Sequence, residues 1–164
     1  MSWKIEIHKA KPNPAGKDKA GNCPIAGQLL GEWVDLKNTG DAAVDLSALN
    51  LANREFGEKC AVTTESKIYW TGQGGVSLQP GQIVRVHTGR SRDAASMNAV
   101  DQAGANVHVY AESGTFVLNN KCGDSLGVWW QTAADKKWHL EDAASYSANP
   151  VEGKVLHRAG KNLV

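Results

Sequence analysis

The 164-residue chain is predicted to fold as one all-β domain, a sandwich of about eight to ten short, mainly antiparallel strands. Three observations predict it. Short segments alternate apolar and polar residues, as strands with one buried face do. Turn residues recur at intervals of roughly 8 to 12 positions. No segment keeps a helical period, and the connections look too short for parallel crossovers.

Trp3 to His8 alternate, which places Trp3, Ile5 and Ile7 on one face of a first strand. Lys9 to Gly27, rich in Lys, Pro, Gly and Asn without a period, reads as a long loop. Glu32 to Asn38 form the next strand with Val34 and Leu36 inward, and Thr39-Gly40-Asp41 turn the chain into a β segment, Val44 to Leu51. Arg54 to Lys67 reads as a polar connection holding Cys60, followed by Ile68-Tyr69-Trp70 and a glycine-rich turn, Thr71 to Gly75. Val76-Ser77-Leu78 and Ile83 to Val86 are two strands joined by Gln79-Pro80-Gly81-Gln82, where proline presets one turn dihedral and glycine accepts the positive one. The stretch Ser91 to Gly104 is a helical or loop insertion. Val107 to Tyr110, Gly114 to Leu118, Ser125 to Trp130 and Trp138 to Tyr146 complete the predicted strands, with Asn119 to Asp124 as a turn.

Composition bounds the function. Eighteen basic and seventeen acidic residues leave a formal charge of +1, which supplies no global field to draw in DNA or anionic lipid. No run approaches the roughly 20 apolar residues of a membrane span, and the first residues lack the apolar run of a signal peptide. A cytoplasmic protein with no membrane association is therefore the expectation, a secreted form staying open. Cys23, Cys60 and Cys122 are an odd set without Cys-X-X-Cys spacing, which argues against structural zinc. One disulfide plus one free thiol is compatible with them. Cys60 and Cys122 both lie in connections, and a bridge between them requires Cα atoms within about 7 Å.

Three segments, in this order, carry a family resemblance: GEWVDLKNTGDAAVDLSALNL (Gly31 to Leu51), VSLQPGQIVRVHTG (Val76 to Gly89) and FVLNNKCGDSLGVWW (Phe116 to Trp130). Together they resemble the lamin-tail domain family. The chain departs from the family pattern at Leu46-Ser47-Ala48-Leu49, where a Trp is usual in the last place, and at Leu118, where a Trp often precedes the Asn pair. The resemblance implies an immunoglobulin-like sandwich with no cofactor and no catalytic residues, in a family whose members contact protein and chromatin partners. The whole chain, 1–164, is expected to be one such domain, with a motif-bearing core of about 28–147 and a C-terminal arm at 148–164.

Among the candidate chemical groups, Glu32 and Asp35 are expected on opposite faces of their strand, unable to pair. Asn38, Asp41, Asn119, Asn120 and Asp124 sit where short polar side chains bond turn backbone. The histidines, His8, His87, His108, His139 and His157, are scattered without metal-ligand spacing, and no hydrolase or nucleotide motif occurs. Arg85 and His87 share one face of a strand, and Arg90 and Arg92 follow in the loop, a basic cluster able to meet phosphates or to be a charged outer face. Of Trp129 and Trp130, adjacent in a strand, one is expected in the core and the other exposed or covered by the C-terminal arm, a candidate interface anchor. The reading these residues support is a non-catalytic binding module for another protein or a surface polymer. A nucleic-acid binder using Arg85, Arg90 and Arg92, or a hydrolase with an unrecognised site, are the alternatives.

Overall fold

The computed structural model describes residues 1–164, and it is an all-β immunoglobulin-like sandwich. Its strands are β1 (Ile5–Lys11), β2 (Lys19–Ala20), β3 (Cys23–Pro24), β4 (Trp33–Asn38), β5 (Val44–Asp45), β6 (Leu49–Phe56), β7 (Val62–Thr71), β8 (Ser77–Leu78), β9 (Ile83–His87), β10 (Val107–Tyr110), β11 (Asp124–Gln131), β12 (Trp138–Tyr146), β13 (Leu156–Ala159) and β14 (Asn162–Leu163). Ten of them form one folded-over sheet in the order β10-β9-β4-β1-β13-β14-β12-β11-β6-β7, so that the β9-β4-β1 half faces the β12-β11-β6 half. Between the halves lies the core: Ile5, Ile7, Val34, Leu36, Val84 and Val86 from one side meet Leu49, Leu51, Trp70, Leu126, Val128 and Tyr146 from the other. Each is the inward residue of an alternating strand, and burial of this apolar area drives the two halves together. Leu49 and Leu118, which stand where the family pattern has tryptophan, are both buried, so leucine fills these apolar sites.

Several expectations need correction. The tail 148–164 is no arm: it supplies β13 and β14, which join β1 to β12 and so tie the two halves into one sheet. Arg54 to Lys67 is a hairpin rather than a loop, with β6 running to Phe56, β7 starting at Val62, and Lys59 (φ 53°) and Cys60 (φ 58°) at its tip. Its residues are polar because much of this hairpin faces solvent. Gly114 to Leu118 is not a strand, because the amides of Val117 and Leu118 donate to the Glu32 carboxylate instead of to a neighbouring ladder. The β10 strand runs parallel to β9, reached by the long segment 88–106, which does allow a crossover. The Pro80-Gly81 turn is present with Gly81 at φ 81°, but it passes the chain from the small β5–β8 pair into the large sheet rather than closing a hairpin.

The outer face of the β9-β4 half is covered. A short helix, α1 (Ala26–Gly31), the 3-10 turn Ser91–Ser96 and a second short helix, α2 (Ala99–Gln102), lie against it. This layer decides the fate of every outward side chain beneath it.

Candidate interaction surfaces

Arg85 and His87 do lie on the outward face of β9, but the helical layer buries both, leaving them 3% and 0% exposed. The basic face expected of Arg85, His87, Arg90 and Arg92 therefore does not exist as a surface. Arg85 grips Asp35 with two bonds, Nε to Oδ1 at 2.7 Å and Nη2 to Oδ2 at 2.8 Å, and its Nη1 donates to the carbonyls of Asp101 (3.0 Å) and Ala103 (2.7 Å). Its guanidinium carbon stands 3.6 Å from the centre of the Trp33 ring. Asp101 in turn accepts from Lys11 Nζ at 2.6 Å and Trp33 Nε1 at 2.9 Å. These charges latch the insertion to the sheet. Arg92 stays exposed in the loop beyond them and Arg90 is half-buried against Gly114, so the cluster is split.

Beside the latch, His87 Nδ1 lies 2.6 Å from the Leu30 carbonyl and Nε2 lies 2.8 Å from His108 Nδ1. A carbonyl only accepts, so Nδ1 carries the proton and Nε2 accepts from His108. Burial pushes His87 down to about 4, with the nearby His108 and Arg85 charges adding to the effect and the Leu30 bond opposing it.

Glu32 and Asp35 are not paired with each other. Glu32 Oε1 accepts from Thr88 Oγ1 (2.6 Å) and from the Val117 and Leu118 amides (2.9 and 3.1 Å), fixing the segment that precedes the Asn119 turn. Burial pushes its carboxyl up to about 7 despite these bonds. Asp124 accepts from Asn53 Nδ2 and from the amides of Arg54, Asn119 and Ser125, while Asn119 Oδ1 accepts from Cys122 N. Gly123, at φ 70°, turns beneath Tyr146: a Cβ there would stand 2.4 Å from the Tyr146 carbonyl, so only glycine fits. The Glu, Asn, Gly and Asp signature residues thus hold loops to the sandwich.

Opposite pH dependences follow from Glu32 and His87. The raised Glu32 contributes stability that is complete below its ordinary 4.5 and is lost as pH rises through 7. The depressed His87 contributes stability that is complete above its ordinary 6.5 and is lost as pH falls through 4. Each is worth about 3 kcal/mol across its window, so between them the two slopes nearly cancel. Glu32→Gln is expected to unmask the histidine, its urea-unfolding free energy dropping by about 2 kcal/mol from pH 6.5 to 4.5 while the unsubstituted protein changes by less than half of that. Parallel pH profiles for the two proteins would show that Glu32 keeps an ordinary acidity.

The other half of the sandwich leaves its outer face open. The β11 strand alternates cleanly, so Trp130 turns inward, edge-on to Trp3 (ring centres 5.6 Å apart, 88°) and stacked on His139 (4.5 Å, 26°), while Trp129 turns outward. Neither indole is fully buried. Trp129 lies over Gly127, where an added Cβ would stand 3.1 Å from its Nε1 and 3.3 Å from Leu140 Cδ1. Leu140 pairs with Trp129 across β11–β12, and Trp138 with Gln131 on the same side. Ile68 on β7 pairs with Ala52, which pairs with Gly127. Ile68, Trp138 and Leu140 are 45%, 43% and 51% exposed, so with Trp129 they make an apolar stripe across four strands. Sequence reasoning overlooked Trp138 and Leu140 as surface residues because they share parity with the buried Ala144 and Tyr146. A bulge at Glu141, opposite the Val128–Trp129 step, flips the first two to the other face.

The largest groove, about 700 Å³, runs between the β6–β7 hairpin and residues 113–119. Its charged side chains are committed to one another or nearby, Lys67 to Glu55 and Arg54 to Glu65 (3.0 Å), and they point no acid, base and nucleophile at a common point. No three His, Cys, Asp or Glu side chains come within reach of one cation.

With the sandwich and its buried Glu32 and Asp124 in place, comparison with known families gives a match: the model of the Lamin Tail Domain matches residues 2–157. The chain belongs to the lamin tail domain family. A search of curated proteins found no match. The family is one of non-enzymatic immunoglobulin-like domains. In this lamin tail domain Glu32 and Asp124 serve the scaffold, and the apolar stripe and the two end strands of the sheet are left without a partner within the chain on their open sides.

Proposed function

We propose that this lamin tail domain is a non-catalytic interaction module that docks another protein or a surface polymer through the outer face of the β12-β11-β6-β7 half. The observation that carries the reading is the stripe of exposed Ile68, Trp138 and Leu140 with half-buried Trp129 between them, on a face the chain does not cover although it covers the opposite one. Solvent-facing aromatic and aliphatic side chains gathered on a rigid sheet supply apolar area at little entropic cost, which is how interface anchors work. A phosphate-binding role draws little support, since Arg85 is committed to Asp35 beneath the helical layer.

The test is retention of partners from source lysate on immobilised full-length protein, with and without nuclease, compared with Trp138→Ser/Leu140→Ser. Both positions are exposed, so the double variant is expected to melt within a few degrees of the parent. A partner that is retained after nuclease and lost with the double variant is the expected result. Retention that nuclease removes, or that the double variant leaves unchanged, would count against the stripe.

A further inference from the structure

The two ends of the folded-over sheet, β10 and β7, each have a neighbour on one side only. An unpaired strand edge is a template for another strand, and proteins usually blunt it with charge, proline or bulges. The β7 edge is blunted: it carries Glu65 and Lys67, and its register against β6 shifts at three points. By contrast β10, Val107-His108-Val109-Tyr110, has no charge, no proline and an unbroken register with β9.

The direction of its free groups can be read from the ladder. Ala111 N–H donates to the His87 carbonyl, and Tyr110 is in register with His87. In a parallel ladder this turns the odd residues of β10 toward β9 and leaves the N–H and C=O of His108 and Tyr110 pointing away from it. Next to this edge is a slot of about 280 Å³ that reaches the sandwich core. Leu46 and Trp70 line it from the core, Val107 and Val109 from β10, and Val76 from the far rim. Glu112, whose carboxylate takes the Ser91 amide at 3.1 Å, is the one acidic or basic group formally charged at neutral pH that lines it.

We propose that the β10 edge takes up an extended, neutral or basic peptide segment of a partner protein as an added strand, seating one apolar side chain in the slot over Leu46 and Trp70. The four free backbone groups of His108 and Tyr110 specify an extended backbone, the slot specifies an apolar side chain on the same side as Val107 and Val109, and Glu112 disfavours acidic residues. This site is separate from the apolar stripe, and either can fail without the other.

The probes are fluorescein-labelled peptides Lys-Thr-Val-Thr-X-Thr-Val-Lys with X as Gly, Val, Leu or Phe, titrated with the full-length protein and followed by anisotropy. With an apolar X, binding is expected to be about tenfold or more tighter than with Gly, the worth of one buried branched side chain. N-methylation of alternate peptide amides is expected to abolish binding, and Val76→Glu, at a partly exposed rim position, to weaken it about tenfold with little change in melting temperature. Hydrogen exchange supplies a readout that needs no variant: the His108 and Tyr110 amides are expected to slow when peptide is added. No binding up to millimolar peptide, binding indifferent to X and to N-methylation, or unchanged exchange at His108 and Tyr110 would each overturn the proposal. So would a concentration-dependent dimer that Val76→Glu dissolves while no peptide binds, since the edge would then serve a second copy of the chain.

Discussion

Arg85→Ala is expected to cost about 3 to 5 kcal/mol of folding stability, the usual effect of removing one partner from a buried ion pair. Asp35, 0% exposed, would be left buried without a counterion, and the carbonyls of Asp101 and Ala103 would lose their donor. The loss is not confined to the pair. Trp33 would lose the cation over its ring, and the short helix Ala99–Gln102, too small to be stable alone, would lose one of its ties to the sheet, keeping those from Lys11 and Trp33 to Asp101. Urea unfolding followed by tryptophan fluorescence checks this, and a loss below about 1 kcal/mol would mean that water reaches Asp35. Replacing both partners, Asp35→Leu with Arg85→Met, is expected to recover part of the loss, because no bare charge is then left buried. It is not expected to recover all of it, since the two carbonyls stay without a donor.

The second large effect belongs to the bridge between Cys60 and Cys122, whose Cα atoms are 5.5 Å apart and 62 residues apart in the chain. It ties the exposed tip of the β6–β7 hairpin, which buries no residue of its own at 58–60, to the Asn119–Asp124 turn. Closing a loop of that length restricts the unfolded chain enough to stabilise the fold by about 4 kcal/mol. Cys60→Ser/Cys122→Ser is expected to show that loss in guanidinium unfolding, and the unsubstituted protein with reductant is expected to match it. Non-reducing peptide mapping is expected to find Cys23, which is exposed and unbridged, as the free thiol. Equal stability with and without reductant would sink the prediction. A bridge of this kind persists in oxidising compartments.

The sandwich, most of its strands and its family were legible in the sequence, because they depend on local signals. Alternation at Val34 and Leu36 or Leu126 and Val128 names the inward residues without knowledge of the partner strand, and Pro80-Gly81 and Gly123-Asp124 announce turns by their own backbone preferences. Even the Cys60–Cys122 pairing was among the arrangements that the connections allowed. The surface was another matter. Alternation says that Arg85 and His87 point away from the core, but only the packing of Ala26–Gly31 and Ser91–Gln102 against that face makes them buried and charge-paired instead of free. Trp138 and Leu140 have the parity of core residues, and one bulge at Glu141 sends them to solvent. Residues 148–164 carry too short a pattern to declare themselves, yet β14 pairs with β12 and β13 with β1, the latter at the far end of the sequence. Which residues are inward is a local property of the chain. Which outward residues reach solvent, and which strand edges stay open, is decided by what else folds over them, and only the tertiary structure holds that information.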